Sequence, residues 1–282
     1  MAFTTLNTGA TSFAAANWAD ATGFANSAEL RIVEGSQTIT GGLDQSSLGT
    51  GVSRFHVGPA FFGSIGSATA GPARFDCDVS PGLIQYSASG GAFYYRANGG
   101  NNVATRIIQD GAGSLYLQGG TITTLEVQNG STYINDQCVP ATLYQYGGTV
   151  TVDAGGTALT NVEVHGGTLY LYRNFTGTLK VSGPNSKVVF LAASGTPGTV
   201  TIDGGGTFDL RGGNIATMTG NSGRLILANA TTDITIGGTA FVVGARFAYD
   251  RNAKAATVTF SNVSYRGGVG TGPTGYGSDG VL

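Results

Sequence analysis

Short segments of alternating apolar and polar residues, each followed by a glycine turn, constrain this chain most. From about residue 113 onward, runs such as SLYL, TLEV and TVTV are separated by Gly-Gly-Thr or a related turn. Alternation with a period of two is typical of a β-strand that buries one face. The alternating apolar pairs are Leu125 with Val127, Val150 with Val152, Val162 with Val164, Leu179 with Val181, Val200 with Ile202, Leu225 with Leu227, and Ile234 with Ile236.

Repetition of one turn signal favours a solenoid over other all-β folds. The Gly-Gly-Thr turn recurs at Thr121, Thr149, Thr157, Thr168, Thr207 and Thr239. A β-sandwich has similar strand spacing, but its hairpins and long crossovers do not require the same turn after strand upon strand, as repeat architectures do. We therefore predict an all-β protein built as a single-stranded, right-handed parallel β-helix, with coils of about 20 to 30 residues.

The regular pattern does not cover the whole chain. We predict an irregular N-terminal capping region over residues 1–104, the β-helix over residues 105–265, and a Gly-rich flexible tail over residues 266–282. A solenoid needs caps because an open terminal coil exposes unpaired strand edges. Trp18, the only tryptophan, is the candidate plug for the N-terminal end of the core.

Composition disfavours several classes of partner. The net charge is −2 and only 11% of the residues are charged, so the chain lacks the basic surface that nucleic acids require. It contains no stretch of about 18 apolar residues, and its first residues lack the pattern of a signal peptide. We expect synthesis in the cytoplasm and no membrane association. Cys77 and Cys138 are too few for a disulfide framework, so we expect buried thiols.

Carboxylate pairs are the candidates for glycan cleavage, which needs two acids about 5 to 9.5 Å apart. The candidates are Asp76 with Asp78, Asp203 with Asp209, and Glu126 with Asp153 or Glu163. Each pair is more simply explained by a solvated strand face or a turn before glycine. The pattern therefore assigns no catalytic residue.

Metal and cofactor chemistry find no support in the motifs. His56 and His165 are the only histidines, which excludes a three-histidine metal site and leaves any hydrolytic triad dependent on one of the two. Phosphate-binding loops, CxxC pairs and calcium-binding glycine repeats are missing from the sequence. We predict no cofactor, no metal and no enzymatic activity.

Aromatic residues outside the regular coils are the candidate partner contacts. They are Phe61, Phe62, Phe93, Tyr94 and Tyr95. Large aromatic side chains supply much of the energy of protein interfaces and also stack on sugar rings. The alternative is that they pack the N-terminal segments onto the solenoid. We predict that a second set of aromatic residues forms one exposed ladder, namely Tyr133, Tyr144, Tyr146, Tyr170 and Tyr172.

The opening segment NWADATGFANSAELRIVEGSQTITGGLDQSS, followed by FFGSIGSATAGP, resembles β-helical virion structural proteins of tailed phages. In that family a tryptophan-bearing N-terminal cap leads into Gly-rich coils. The resemblance covers roughly the first 70 residues by motif and the remainder by repeat character. Passenger domains of autotransporters have similar entry segments, but they carry a signal peptide and a membrane barrel.

The resemblance implies a capsid decoration or cement protein that stabilises the shell without catalysis, located in the virion. The implied partner is the major capsid protein or another virion protein, and threefold positions on a capsid favour a homotrimer. The alternatives are a fibre or tailspike protein that binds or degrades host surface glycan, and an adhesin-like protein of the cell surface.

Overall fold

The computed structural model describes residues 3–19, 29–40, 43–44, 53–66, 73–76, 82–97, 104–192, 198–221, 223–227, 233–242, 246–248 and 258–266. The regular secondary structure of these residues is β-strand throughout, apart from one 3-10 helix at Ala15–Asn17. The chain divides into two compact units, residues 1–143 and 144–282.

The first unit contains thirteen strands and most of a fourteenth. They are β1 (Phe3–Thr5), β2 (Glu29–Gly35), β3 (Thr38–Ile39), β4 (Leu43–Asp44), β5 (Arg54–Phe61), β6 (Ser64–Ile65), β7 (Ala73–Asp76), β8 (Leu83–Tyr86), β9 (Ala92–Ala97), β10 (Ala104–Gln109), β11 (Ser114–Leu117), β12 (Gly120–Val127), β13 (Ser131–Ile134) and β14 (Cys138–Gln145). One sheet has the order β1-β2-β5-β8-β10-β12-β14 and the other β3-β6-β9-β11-β13. Strand β7 also pairs with β4 and β9.

The second unit continues the same alternation. Its strands are β15 (Thr149–Val152), β16 (Leu159–Val164), β17 (Gly167–Leu171), β18 (Phe175–Ser182), β19 (Ser186–Phe190), β20 (Thr199–Asp203), β21 (Thr207–Leu210), β22 (Ile215–Asn221), β23 (Arg224–Ile226), β24 (Ile234–Val242), β25 (Arg246–Ala248) and β26 (Val258–Arg266). One sheet has the order β16-β18-β20-β22-β24-β26 and the other β15-β17-β19-β21-β23-β25.

Each coil therefore contributes one strand to each of two sheets, and each strand pairs in parallel with strands of the neighbouring coils. Equivalent positions are 17 residues apart at Asn161 and Thr178 and 21 apart at Asn214 and Thr235. The predicted parallel β-helix is confirmed. Parallel pairing also begins before residue 104, because β1, β2, β5 and β8 belong to one sheet with β10. The division at residues 104 and 265 stays a prediction, and residues 267–282 lie outside the described residues.

Ladders of apolar side chains form the core between the two sheets. In the second unit Val150, Leu169, Val188 and Phe208 lie opposite one another on successive coils, and all four are fully buried. Every alternating apolar pair predicted from the sequence is buried as well. Burying one such side chain contributes about 1.5 to 3 kcal/mol, so stacked coils stabilise one another.

Glycine is required where the backbone turns from one sheet to the other. Gly167 has φ +78°, and a Cβ placed there would lie 2.3 Å from the carbonyl oxygen of Gly148. Any side chain at Gly167 would combine strain with a clash against the preceding coil. The Gly-Gly-Thr turn thus lies at the coil corners before Thr149, Thr168 and Thr207, whereas the predicted turn at Thr239 is wrong, because Thr239 lies within β24.

Buried glutamines pair the backbone carbonyls at these corners. Gln109 donates from Nε2 to the carbonyl of Gly113 at 2.7 Å and accepts the hydroxyl of Thr132 from the next coil. Gln145 in the second unit donates to the carbonyls of Gly148 at 3.2 Å and Thr168 at 3.1 Å. Carbonyls buried without such donors are costly, so these amides link consecutive coils.

We predict that Gln109→Leu lowers the free energy of unfolding by about 1 to 3 kcal/mol, because it leaves the Thr132 hydroxyl and the Gly113 carbonyl without this partner. Urea denaturation measures the change. Gln137→Leu is the matched control, since Gln137 is exposed and its side-chain amide donates to Asp136 of the same turn. Equal destabilisation by the two variants would contradict the corner role of Gln109.

An aromatic cluster occupies the N-terminal end of the first unit. Trp18 is buried, stacks on Phe13 with ring centroids 6.2 Å apart, and donates from Nε1 to the Phe13 carbonyl at 3.1 Å. Phe13 in turn meets Phe55 of β5 edge to face. Backbone bonds tie this segment to β2 at Arg31 and to Thr40. Trp18 therefore packs in the core at this end, as the sequence indicates.

Candidate functional site

The five predicted partner contacts have different environments. Phe61, Phe93 and Tyr95 are buried in the core of the first unit, with at most 2% of each residue exposed. These three side chains therefore pack the coils, which is the alternative that the sequence left open. Phe62 is 58% exposed and Tyr94 is partly exposed, so only these two remain available to a partner.

Three tyrosines form a stacked ladder on the outer face of β9, β11 and β13. Tyr94, Tyr116 and Tyr133 lie opposite one another, with ring centroids 4.5 and 4.7 Å apart and planes within 9°. Burial, followed by the two neighbouring phenols, raises the pKa of Tyr116 above its ordinary value. Because the inner ring faces cover one another, the ladder presents ring edges to solvent.

The single ladder predicted from Tyr133 to Tyr172 is wrong. Tyr144 lies on β14 and Tyr146 just after it, whereas Tyr170 lies on β17 and Tyr172 just after it, and these strands belong to different sheets. The prediction failed because alternation shows which side chains point outward but not which sheet each strand joins. The repeated tyrosine in AFYY, SLYL and STYI was the signal for the ladder that does form.

Charged side chains on the sheet of the first unit that contains β2, β10 and β12 pair with one another. Arg31 donates to both carboxylate oxygens of Glu29, at 2.9 and 3.1 Å, and these bonds hold the pKa of Glu29 below its ordinary value. Arg106 pairs with Glu126. Burial would raise the pKa of Glu126, but hydrogen bonds from Arg106 and Gln128 lower it overall. This face is therefore polar without a strong net charge.

His56 lies half-buried in this polar face. Burial lowers its pKa below the ordinary value, and the charge of Arg54 lowers it further. Glu29 raises the pKa, Arg31 lowers it, and Asp110 raises it, so the surrounding charges partly cancel. The folded protein therefore favours neutral His56.

We predict that acidification from pH 7 to pH 5 destabilises the protein partly through His56. Its folded-state pKa is depressed, so its contribution is present above the unfolded value of about 6.5 and is lost as the pH falls toward the folded value. The urea midpoint should fall less in His56→Gln than in the wild type. Glu29 and Glu126 titrate below this window because their pKa values are lowered. An equal fall in both proteins would contradict the role of His56.

The second histidine, His165, lies in a cluster of polar side chains on the outer face of β16 and β18, where both of its ring nitrogens have a side-chain partner. Nδ1 of His165 is 2.7 Å from Oγ of Ser182, and Nε2 is 3.2 Å from Oε2 of Glu163. The ring of Tyr146 stacks on the imidazole, with centroids 5.3 Å apart and planes 14° apart. The histidine and the carboxylate are each about one-third exposed.

Strand geometry builds this cluster. Glu163 and His165 are two residues apart and therefore face the same side of the sheet. Val164 lies opposite Val181, which brings Ser182 beside His165 on the next coil. The sequence indicates His165 only as one of two histidines on which a hydrolytic triad could depend, and it does not single out Ser182. The available signal was the alignment of NVEVHG with TLKVSG in successive repeats.

The predicted carboxylate pair of Asp203 and Asp209 is not brought together on one sheet. Asp203 ends β20 and Asp209 lies on β21, which belong to different sheets. Asp209 is buried and accepts two bonds from Arg211, at 3.1 and 2.8 Å. Glu126 and Glu163 each have their own partner, and Asp153 is exposed. Asp78 and the side chain of Asp76 lie outside the described residues.

The structure also shows the position of one cysteine and bears on metal binding and membrane spans. Cys138 is buried in β14, whereas Cys77 lies outside the described residues. Across the described ranges, no three His, Cys, Asp or Glu side chains gather closely enough to hold a metal ion. No helix within the described part of the chain is long and apolar enough to cross a membrane.

The fold is a parallel β-solenoid whose outer faces carry the tyrosine ladder and the clusters of polar side chains. Comparisons with protein-family models, with curated proteins and with solved structures find no match to the chain.

Proposed function

We propose that this protein is a structural protein of a virion, a capsid decoration protein whose binding stabilises the shell and needs no catalysis. The observation that carries the proposal is a set of exposed apolar side chains on the first coils. Phe3, Val33 and Phe62 are 53%, 49% and 58% exposed, and they lie on β1, on β2 and just after β5.

These three positions fit a protein contact rather than a solvated surface. The guanidinium of Arg31 lies 4.2 Å from the centre of the Phe3 ring, a cation–π contact. Phe62 lies beside Gly90, which has no side chain to cover the ring. Aromatic and arginine side chains are enriched at the centres of protein interfaces. The N-terminal coils are therefore the end of the first unit that we assign to the shell.

The solenoid supports this role through rigidity. Its paired strands and buried ladders hold the exposed side chains at fixed positions, so little conformational entropy is lost on binding. Modest contacts multiplied across three copies at a threefold position of a lattice give high avidity. The partner in this proposal is the major capsid protein or another virion protein, and the oligomer is a homotrimer.

We predict that the wild-type protein co-sediments with purified shells of the source virus and that Val33→Ser with Phe62→Ser binds at least about 10-fold more weakly. Loss of two apolar contacts at an interface centre commonly costs this much or more. Tyr170→Ala with Tyr172→Ala is the matched control, because it alters two exposed aromatic residues of the second unit. Absence of the protein from intact particles by cryo-electron microscopy would reject the proposal.

A glycan-binding fibre or tailspike is the second candidate, and Tyr170 and Tyr172 favour it. They are 36% and 39% exposed and lie two residues apart on one side of the chain. The hydrogen bond to Asp209 raises the pKa of Arg211 most, burial lowers it, and the charge of Asp209 and then the two phenols raise it further. Aromatic rings beside an ion pair provide both stacking and hydrogen bonding for a sugar.

We predict for this second candidate that the wild type binds host surface polysaccharide in isothermal titration calorimetry and that Tyr170→Ala with Tyr172→Ala abolishes the signal. Val33→Ser with Phe62→Ser then serves as the control that retains binding. Each pair of variants is thus the control for the other role. Polysaccharide binding that persists in the tyrosine variant would exclude these two residues as the sugar site.

A further inference from the structure

We propose that Ser182, His165 and Glu163 form a hydrolytic site for neutral carboxylic esters on the outer face of β16 and β18. In this site Ser182 is the nucleophile, His165 is the general base, and Glu163 positions the imidazole. The site lies within the second unit and is independent of the virion role, which rests on the first coils.

Hydrogen-bond chemistry fixes the proton on His165. A carboxylate only accepts hydrogen bonds, so Nε2 carries the hydrogen that it donates to Glu163 at 3.2 Å. Nδ1 then has the lone pair, and the hydroxyl of Ser182 donates to it at 2.7 Å. The neutral tautomer with its lone pair facing the serine is the form that can act as a general base.

The arrangement meets the geometric requirement for an activated nucleophile. Nucleophile and base must lie within about 2.6 to 3.2 Å, and a third group must orient the base. The Ser182–His165 contact lies inside this range, and the stacked ring of Tyr146 restricts the imidazole further. The other serine–histidine pair, Ser87 Oγ and His56 Nε2, is 3.5 Å apart.

The reaction follows from these roles. Oγ of Ser182 attacks the ester carbonyl carbon while its proton moves to Nδ1 of His165, and the carbonyl oxygen takes up the electron pair. The C–O bond to the alcohol then breaks, and the imidazolium proton passes to the leaving oxygen. Water attacks the acyl-serine, giving its proton to Nδ1, and the acid leaves as Oγ regains that proton. The products are one alcohol and one carboxylic acid.

Gly183 is the candidate donor to the oxyanion. It follows Ser182 directly, the position that supplies one oxyanion N–H in hydrolases with a nucleophile elbow. Its φ is +93°, and within the described residues its N–H donates to none of the backbone or side-chain acceptors recorded for this structure. A Cβ on Gly204 would lie 3.1 Å from this nitrogen, so glycine on the next coil keeps the N–H open.

Charge and shape select the substrate class. Asp203 lies opposite Ser182 on the next coil, and Glu163 lies on the preceding coil. These two carboxylates repel anionic substrates. Lys180, opposite Glu163, offsets one of them. Tyr146 is 51% exposed and offers a ring for the apolar part of an ester. Because Ser182 is partly exposed on the outer face of the sheet, an acyl group that projects from a polymer can approach it.

The test uses the full-length protein and a neutral fluorophosphonate probe, with adducts located by peptide mass spectrometry. We expect an adduct on Ser182 that forms at least about 100-fold faster than any adduct on Ser87, since a positioned base contributes about 10² to 10⁴ in rate. Both serines are partly exposed and lie beside a histidine, so they are compared within one molecule. Equal labelling, or none on Ser182, would overturn the proposal.

Variants then separate the roles. His165→Gln should slow labelling of Ser182 about 100-fold or more. Ser182→Ala should abolish the protein's hydrolysis of p-nitrophenyl acetate, whereas Ser87→Ala should keep the wild-type rate. Labelling of Ser182 that persists in a folded His165→Gln protein would refute the role of the base. The comparison of Ser182 with Ser87 in the wild type remains decisive if a variant does not fold.

Glu163 is tested as a positioning residue. In Glu163→Gln the amide can turn either its oxygen or its nitrogen toward Nε2, so the tautomer of His165 is no longer fixed. We expect labelling to slow at least about 10-fold while the melting temperature stays within a few degrees, and Glu163→Asp to restore part of the rate. A change in melting temperature without a change in labelling would assign Glu163 a structural role only.

Discussion

Parallel hydrogen bonding between successive coils determines where every outer side chain lies. Because the strands keep a constant register with their neighbours over most of their length, side chains of equivalent positions form columns along each sheet. The core ladder through Leu169 and the tyrosine ladder through Tyr116 both follow from this pairing. So does the approach of Ser182 to His165. A slip of one residue would turn all three sets to the opposite side of their sheets.

The pairing also explains how a chain with few charges keeps its coils in place. Surface charges are scarce, and several of those present are paired across or along a strand, as in Arg31 with Glu29 and Arg211 with Asp209. The register between coils therefore depends on the packing of side chains in the core and on amide donors at the corners. Gln109 and Gln145 perform the same task in different units, each pairing carbonyls of its own coil and of the next.

Much of the fold was predictable because it depends on local patterns. Alternation identified the buried pairs, such as Val200 with Ile202, and recurring glycine turns indicated a solenoid. The sites were less predictable because they depend on which strands become neighbours. Phe93 and Tyr95 were indistinguishable in the sequence from exposed aromatic residues, yet both point into the core of an early coil. Ser182 becomes a candidate nucleophile only because His165 lies beside it on the neighbouring coil.

Coils of unequal length share one register in this solenoid, and that has a consequence for how such a chain can change. Equivalent residues are separated by 17 positions in one pair of coils and by 21 in another, and the difference is absorbed where the backbone turns. Inserted segments at these corners can therefore carry new recognition loops while the flat sheets stay unchanged. Within a strand, a single-residue difference requires a local shift of register, as between Leu159 and Asn161 of β16. Corners are the places where this architecture can acquire new specificity, by natural duplication or by design.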